Sequence, residues 1–205
     1  MQPTSQQLDA DRIARIGGWL FQRRTWTPVP LLVVFLLIRA GEAPASTALL
    51  AAGIAIVIAG ESIRLWAAHH IGAISRTRAD RLGPLVSTGP FALVRNPLYL
   101  GNIVLWVGFA LSARLLWMVP VVVLVLGLEY HAIVRWEERL LEARRGEEYR
   151  AYAAHVPRWL PKTVVSASAA RSAVAFSWRE TFLSERGTLL AIAIGYLLLY
   201  VKFTV

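Results

Sequence analysis

The amino-acid sequence predicts an all-α protein, a polytopic bundle of about five transmembrane helices with a polar cap on its cytoplasmic side. Hydrophobic residues make up 56% of the 205 residues, and charged residues make up only 17%. The mean hydropathy is +0.50, whereas soluble domains are about 45–50% apolar and about 25% charged. A chain this apolar cannot cover its own surface with polar groups, so a lipid bilayer is its natural solvent.

Five apolar segments account for the predicted spans. A helix needs about 20 apolar residues to cross roughly 30 Å of hydrocarbon. The first, third and fifth segments are shorter than this, so we expect them to recruit flanking residues or to pack as a bundle. The five segments are 26–40, 47–70, 98–112, 115–134 and 188–203.

Basic residues are concentrated in alternate loops. Of the 22 lysines and arginines, four lie in 1–27, four in 71–97 and ten in 135–187. Loops rich in Lys and Arg stay on the cytoplasmic side of a membrane. The pattern therefore predicts an integral protein of an inner (cytoplasmic) membrane with a cytoplasmic N-terminus. Arginine-rich, lysine-poor usage favours a prokaryotic source.

The net charge of +9 calls for an anionic partner. Nucleic acid and the anionic surface of a membrane both attract basic residues. Because the charges flank apolar runs and form no separate polar domain, we expect membrane lipids as partners and no nucleic acid. The sequence has no cysteine, which excludes disulfides, thiolate metal sites and cysteine nucleophiles.

The chain divides into three predicted regions: an N-terminal interfacial helix (1–25), a membrane core (26–162), and an amphipathic linker with the C-terminal span (163–205). In the first region apolar residues recur every three to five positions with arginines between them. This pattern is typical of a helix that lies in the membrane interface, and a solvated tail is the alternative. The apolar residues are Leu8, Ile13, Ile16 and Leu20.

The polar segment before the third span contains two turns. Gly89-Pro90 forms the first, and Asn96-Pro97 forms the second, with its proline well placed at the first position of a helix. Arg95 is thereby held beside free backbone N–H groups, and together they form a site for a carboxylate or a phosphate. A basic membrane anchor with a helix cap is the alternative interpretation.

A second polar segment follows the fourth span. Glu137 and Glu138 come just beyond this span, where a carboxylate could accept hydrogen bonds from hydroxyl groups or hold an ammonium group. Gly146 is a plausible helix C-cap, and Tyr149 and Tyr152 share one helix face. The alternative is a solvated helix whose Glu and Arg side chains pair across turns.

Together the two polar segments resemble the signatures of a known enzyme family. The first reads TGPF…VRNPLYLG over residues 88–101, and the second reads EE…GxxYxxY…VPR over residues 137–158. Both are similar to motifs of the isoprenylcysteine carboxyl methyltransferase and phospholipid methyltransferase family. The resemblance covers about residues 50–162, with a hairpin of two predicted spans between the motifs.

The resemblance implies S-adenosylmethionine as the cofactor, bound in a cytoplasmic cap, and a lipophilic or lipid substrate that enters from the bilayer. Isoprenoid carboxylates and phospholipids are the acceptor types it suggests. Arg95 and Glu138 are the implied catalytic residues. Many family members have His where this chain has Asn96, which can form hydrogen bonds but cannot carry charge. The residues implied to bind the cofactor are Arg95, Asn96, Tyr99, Leu100, Gly101, Glu137, Glu138, Tyr149, Tyr152 and Arg158.

Methyl transfer from a sulfonium needs alignment and desolvation more than a nucleophilic side chain. A carboxylate acceptor requires no general base, whereas an amine or hydroxyl acceptor does, and Glu138 or His131 could serve. The adjacent His69 and His70 point to different helix faces, so we expect no metal site.

Ionisable residues within predicted spans indicate functional sites. Glu61 and Arg64 lie three residues apart in the second span and could form an ion pair. Glu61 and Glu129 are candidates for a polar cavity.

Two other function classes remain open. One is an NADPH-dependent membrane reductase of the sterol-reductase type, which has a similar Arg-x-Pro-x-Tyr element and would use Arg144-Arg145 for the cofactor phosphate. The other is a non-catalytic membrane scaffold that holds anionic lipid on its basic cytoplasmic face.

Overall fold

The computed structural model of the protein describes residues 12–72, 85–161 and 177–205. Regular structure in these residues is entirely helical, without any β-strand, which confirms the predicted all-α class. Leu8 and most of the predicted linker after residue 162 lie outside the described residues. The helices are α1 (Arg12–Arg23), α2 (Val29–Leu37), α3 (Thr47–Ile71), a 3-10 helix (Gly89–Ala92), α4 (Pro97–Ser112), α5 (Met118–Arg145), α6 (Glu147–His155) and α7 (Trp178–Thr204).

Three of these helices, α3, α5 and α7, are long and apolar enough to cross a membrane, with 25, 28 and 27 residues. The apolar helix α4 has 16 residues and α2 has 9. At about 1.5 Å per residue, α2 is about 14 Å long, roughly half the thickness of the hydrocarbon layer. The segment 26–40 is therefore only partly helical, because turns precede Val29 and the backbone becomes extended at Ile38.

Two helices extend beyond the predicted apolar segments. Helix α5 continues past residue 134 without a break and ends at Gly146, whose positive φ of 53° and N–H bond to the Glu142 carbonyl (2.7 Å) confirm the predicted C-cap. Helix α7 starts well before residue 188. A capping box fixes this start, since the Ser177 side chain and the Glu180 carboxylate satisfy each other's backbone N–H groups.

Helices α3 and α4 form the tightest helix pair, and glycines allow their close approach. A Cβ atom on Gly60 would lie 2.7 Å from the Gly101 carbonyl oxygen, and one on Gly108 would lie 2.7 Å from the Gly53 carbonyl oxygen. Small residues at helix contacts let backbones meet in membrane bundles, where no hydrophobic effect drives helix association. This contact fixes the position of α4, which carries part of the site.

Helix α1 packs on α5 along one face. Gly17 lies against the backbone of Ala132, and the Phe21 ring contacts the Trp136 ring at 4.8 Å. On the other face Ile13, Ile16 and Trp19 are exposed. The predicted N-terminal helix is therefore present, and its place in the membrane interface stays a prediction.

The far end of the bundle, away from the polar segments, is held by buried charges. The Lys202 ammonium at the end of α7 donates to the carbonyls of Phe35 (2.8 Å) and Ile38 (2.9 Å) and lies 2.6 Å from the Glu42 carboxylate. Arg114 donates to the same carboxylate at 2.7 Å. Burial alone would raise the pKa of Glu42, but the bond and charge of Lys202, aided by Arg114, lower it below its ordinary value.

Candidate functional site

The two polar segments meet in the structure, although they are far apart in sequence. The backbone N–H of Arg95 donates to the Pro157 carbonyl at 2.9 Å. The Asn96 side chain donates to the Arg158 carbonyl at 3.3 Å. The first polar segment is directed toward α6 by two features. These are the turn at Gly89, which has a φ of 58°, and the helix start at Pro97.

A charged cluster of three side chains joins these segments to α5. The Glu138 carboxylate accepts a bidentate pair of bonds from Arg158, at 2.5 Å and 3.0 Å, and lies 3.0 Å from the Arg95 guanidinium. Such fork-to-fork contacts are among the stronger hydrogen bonds in proteins. Two guanidinium groups share one carboxylate, so the cluster carries a net charge of +1. We call these three residues the cap cluster.

Two tyrosines of α6 complete this region. The Arg95 guanidinium donates to the Tyr149 hydroxyl at 3.4 Å, and the Tyr152 hydroxyl donates to the Phe91 carbonyl at 2.7 Å. Burial, together with the nearby Glu138 carboxylate, raises the pKa of Tyr149 to about 12. Burial also raises the pKa of Tyr152, so both hydroxyls keep their protons at neutral pH.

A cavity of about 670 Å³ lies between these segments and the helical bundle. This volume is within the usual range of about 300–1,000 Å³ for small-molecule sites. Beside the polar segments its lining includes Arg95, Glu137 and Glu138. Further along α4 its lining is apolar and includes Leu105, Trp106 and Phe109, together with Ala191 and Ile192 of α7. We call these two parts of the cavity its polar end and its apolar end.

Most of the residues that the resemblance implies for the cofactor line this cavity: Arg95, Asn96, Tyr99, Glu137, Glu138, Tyr149 and Tyr152. Leu100, Gly101 and Arg158 do not line it. Arg158 reaches its edge through the cap cluster and lines a second, more open pocket beside it. Gly101 faces α3 instead, where an added Cβ would lie 2.8 Å from the Gly60 carbonyl oxygen. The structure thus gives Gly101 a packing role, and its contact with a cofactor stays a prediction.

Aromatic and polar side chains form the wall between the two ends. The Tyr99 hydroxyl donates to Glu137 at 3.0 Å. The Tyr99 ring stacks on the Tyr130 ring with a centroid distance of 4.8 Å, and the Asn102 amide donates to the Tyr130 hydroxyl at 3.3 Å. These contacts fix the wall without filling the cavity.

Part of this wall was not predicted from the sequence. The predicted pair of Arg64 and Glu61 is present at 3.3 Å, but Arg64 also lies 2.6 Å from Glu185 of α7 and donates to Asn102. Asn102, Tyr130 and Glu185 line the cavity and were not among the predicted site residues. The position of Asn102, one turn after Tyr99 on the same helix, was the available signal.

The remaining ionisable residues of the predicted spans lie elsewhere. Glu129 accepts a bond from Thr27 at 2.5 Å, and neither Glu129 nor Glu61 lines the cavity. The His69 ring stacks on Trp178 at 4.3 Å and contacts Thr181. Across the part of the chain that the structure describes, no three His, Asp or Glu side chains are grouped so that they could hold a metal ion.

Comparisons with known proteins agree with the motifs. Residues 48–147 match the model of the phospholipid methyltransferase family. The nickel-cobalt-cadmium resistance protein NccN of Alcaligenes xylosoxydans xylosoxydans is 33% identical over 117 residues, which cover 57% of this chain and 52% of NccN. The cobalt-zinc-cadmium resistance protein CzcN of Cupriavidus metallidurans is 32% identical over 99 residues, covering 48% and 43% of the two chains.

The chain therefore spans about half the length of the curated relatives it matches. No solved structure matches it. The matched region contains α3, α4, α5 and the first polar segment, with Arg95, Glu137 and Glu138 of the site. Through residues 48–147, about half of its length, the chain belongs to the phospholipid methyltransferase family.

Proposed function

We propose that the protein transfers a methyl group from S-adenosylmethionine to a lipophilic acceptor at the membrane interface. The observation that carries the proposal is a single cavity that joins a polar, charged end to an apolar end between membrane helices. Methyl transfer to a lipid needs both, because the donor is polar and the acceptor is not. Membership of the family supports the same reaction class.

The polar end fits the chemistry of the proposed cofactor. S-adenosylmethionine has a carboxylate, an ammonium and ribose hydroxyls, and when bound it supplies a methyl group activated by a positive sulfur. The cap cluster has a net charge of +1, and among the residues that the structure describes the buried Nε atom of Arg95 has no hydrogen-bond partner. Both features suit a carboxylate beside the N-terminus of α4. Glu137 could accept bonds from the ammonium or the ribose.

The chain's own residues would then orient the reactants and exclude water. The stacked rings of Tyr99 and Tyr130 form a rigid wall at the boundary of the two ends. Leu105, Trp106 and Phe109 would hold the tail of an isoprenoid carboxylate or a phospholipid, the acceptor types that the family resemblance suggests. Desolvation of this kind speeds transfer from a charged donor to a neutral or anionic acceptor.

The proposal includes a membrane topology. We infer five crossings, with α2 and α4 completing a bundle built on the three long helices, and with the polar segments and the N-terminus in the cytoplasm of a prokaryotic inner membrane. The alternation of basic loops supports this orientation. Because α2 is short, it would cross with the help of flanking turns or a locally thinner bilayer.

Ligand binding tests the function first. Purified protein in detergent should bind labelled S-adenosylmethionine and not labelled NADPH. Binding of NADPH alone would favour the reductase alternative, and binding of neither would favour the scaffold. A second experiment follows transfer of the labelled methyl group into a lipid extract, with identification of the product by mass spectrometry.

The names of the relatives add a cellular proposal. Both are named for resistance to metal ions, so we infer that methylation by this chain contributes to metal tolerance. A metal-sensitive host expressing the protein should grow at higher cobalt or cadmium than a host expressing an Arg95→Ala variant. Equal growth of the two strains would contradict a role of the methylation in tolerance.

A further inference from the structure

Helix α1 and the connection that follows it form one side of the cavity. Phe21 of α1 and Arg24 of the connection line it, together with Val29 at the start of α2. All three precede residue 48, where the match to the family begins. The N-terminal part of the chain therefore contributes to a site whose predicted residues all come from the two motifs.

Two contacts hold this connection on α5. The Phe21 ring lies 4.8 Å from the Trp136 ring, and the Thr27 hydroxyl donates to the Glu129 carboxylate at 2.5 Å. Trp136 and Glu129 are about two helical turns apart on α5. Arg24 lies between the two anchored residues in the sequence, so its position along α5 is fixed from both sides.

The side chain of Arg24 is also held in place. Its Cζ atom lies 4.0 Å from the centroid of the Phe21 ring, and the face of an aromatic ring attracts a guanidinium. From this position the charge of Arg24 interacts with Glu137 and with the hydroxyls of Tyr99 and Tyr130. The interaction with the Glu137 carboxylate is attractive, and it is strong where little water screens it.

The other neighbours of Glu137 do not balance its charge. The Tyr99 hydroxyl donates to it at 3.0 Å, but a hydroxyl is neutral. The two guanidinium groups of the cap cluster contact the adjacent Glu138, whose own charge repels that of Glu137. A carboxylate that is partly withdrawn from water is destabilised unless a positive charge lies nearby. Arg24 brings this charge from a different part of the chain.

We propose that Arg24 is a positioning residue of this site: its charge stabilises and orients the Glu137 carboxylate, which accepts hydrogen bonds from the ammonium group or the ribose of the cofactor. This inference rests on the proposed function, because Arg24 acts through a residue of the polar end. It gives the N-terminal region a role beyond contact with lipid, since the connection after α1 brings to the site a charge that the matched family region does not contain.

Substitutions at Arg24 separate its charge from its packing. Arg24→Met keeps a long apolar side chain against the Phe21 ring and removes the charge, whereas Arg24→Lys keeps the charge. Arg23→Met is the matched control, because Arg23 is the adjacent residue, is exposed, and lies over the Trp19 ring at 4.5 Å. Binding of labelled S-adenosylmethionine to each purified variant in detergent is the measurement, and a melting curve checks the fold.

A double-mutant cycle tests whether Arg24 acts through Glu137. Arg24 takes part in other contacts as well, and their loss would add to the effect of Arg24→Met. If the effect passes through Glu137, removing the charge of Arg24 should matter little once the carboxylate is gone. The cycle therefore repeats Arg24→Met in a Glu137→Gln background. Glutamine retains a carbonyl oxygen for hydrogen bonds, so residual binding of the cofactor stays measurable.

We expect Arg24→Met to weaken cofactor binding by about tenfold, and Arg24→Lys to stay within about threefold of the wild-type affinity. Arg23→Met should bind as the wild-type protein does. In the Glu137→Gln background, Arg24→Met should change the affinity by less than about twofold.

Three results overturn the inference. They are an Arg24→Met affinity within about twofold of wild type, a loss in Arg24→Lys as large as in Arg24→Met, and an undiminished loss in the Glu137→Gln background. If Arg24→Met does not fold, Arg24→Gln replaces it, and normal binding by that variant overturns the inference equally. A wild-type protein that does not bind S-adenosylmethionine refutes the proposed function, whereas binding by wild type with an unchanged affinity of Arg24→Met refutes only the role of Arg24.

Discussion

Replacing Glu138 by glutamine should weaken binding of S-adenosylmethionine strongly. Glu138 connects the three parts of the cap cluster, because its carboxylate contacts Arg158 twice and Arg95 once. Without its charge the two guanidinium groups repel each other, and the segment that carries Arg95 loses its fixed position at the cavity. The substitution keeps the size of the side chain, so the effect reports the charge.

The expected magnitude follows from the contacts. Hydrogen bonds to charged groups contribute about 1.5–3 kcal/mol each, and breaking a buried ion pair costs about 3–5 kcal/mol. Glu138 and Arg95 are 14% and 16% exposed, but Arg158 is 31% exposed, so solvent screening reduces its share. We therefore expect a loss of about 2–4 kcal/mol, or about 30- to 1,000-fold in affinity.

Equilibrium binding of labelled cofactor to purified protein measures this loss, with a melting curve of each variant to check the fold. Glu148→Gln, an exposed glutamate of α6, serves as the control and should bind as the wild-type protein does. An affinity of Glu138→Gln within about twofold of wild type, in a protein that is folded, would refute the placement of the cofactor at the cap cluster.

Three other perturbations test the structure. Gly60→Val should abolish folding in detergent, since its Cβ would lie 2.6–2.7 Å from the backbone of α4. Gly127→Val is the control: a Cβ there has no described atom within 4 Å, so this variant should elute as wild type does in size exclusion. Tyr152→Phe should destabilise the cap by about 1–3 kcal/mol, because the Phe91 carbonyl loses the hydrogen bond from the Tyr152 hydroxyl. Limited proteolysis should then be faster than in the wild-type protein, while the tryptophan emission of the bundle stays the same. Glu42→Gln should lower the melting temperature at pH 7. Because the pKa of Glu42 is lowered in the folded protein, its stabilising contribution is present above the ordinary pKa of 4.5 and is lost as the pH falls through the lowered value. The difference in melting temperature between variant and wild type should therefore shrink on acidification below pH 4.5. An equal difference in melting temperature at pH 7 and below pH 4.5 would contradict the pairing of Glu42 with Lys202.

The fold class could be predicted from the sequence because it depends on local features. The segment 47–70 corresponds to α3 almost residue for residue, since a long apolar run between a serine cap and a glycine is sufficient to define a membrane helix. Gly146 could be predicted as the C-cap of α5 because a glycine after a helical segment is a local signal of a helix end. These signals lie within a few residues of the boundary that they determine.

The helix ends that prediction missed depend on contacts beyond the apolar run. Helix α5 continues past 134 because its charged last part is also packed, with Leu140 buried and Glu138 held by the cap cluster. Hydropathy locates the part of a helix that lies in lipid, but it does not predict how far the helix continues outside the bilayer. The short α2 follows from turns formed before Val29, which apolar composition does not reveal.

The two ends of the site differ in how far the sequence could predict them. The cap cluster belongs to two motifs with fixed spacing, so a resemblance identified Arg95, Glu138 and Arg158 together. The contact of Arg64 with Glu185 joins residues 121 positions apart. No spacing rule links α3 to a helix so distant in sequence, and only the packing of the bundle brings the two charges together.

The packing of α3 against α4 connects the two ends physically. Gly101 belongs to the first motif, yet an added Cβ there would lie 2.7 Å from Cγ of Arg64. The glycine therefore leaves the space through which the Arg64 side chain passes to reach Asn102 and the cavity. The family resemblance implies that Gly101 binds the cofactor. In this structure Gly101 contacts α3, on the opposite side of α4 from Tyr99 and its partner Glu137. The motif thus positions the contacts of Arg64 with Asn102 and Glu185 as well as the cap cluster, because one helix presents its aromatic face to the polar end and its glycine face to the arginine.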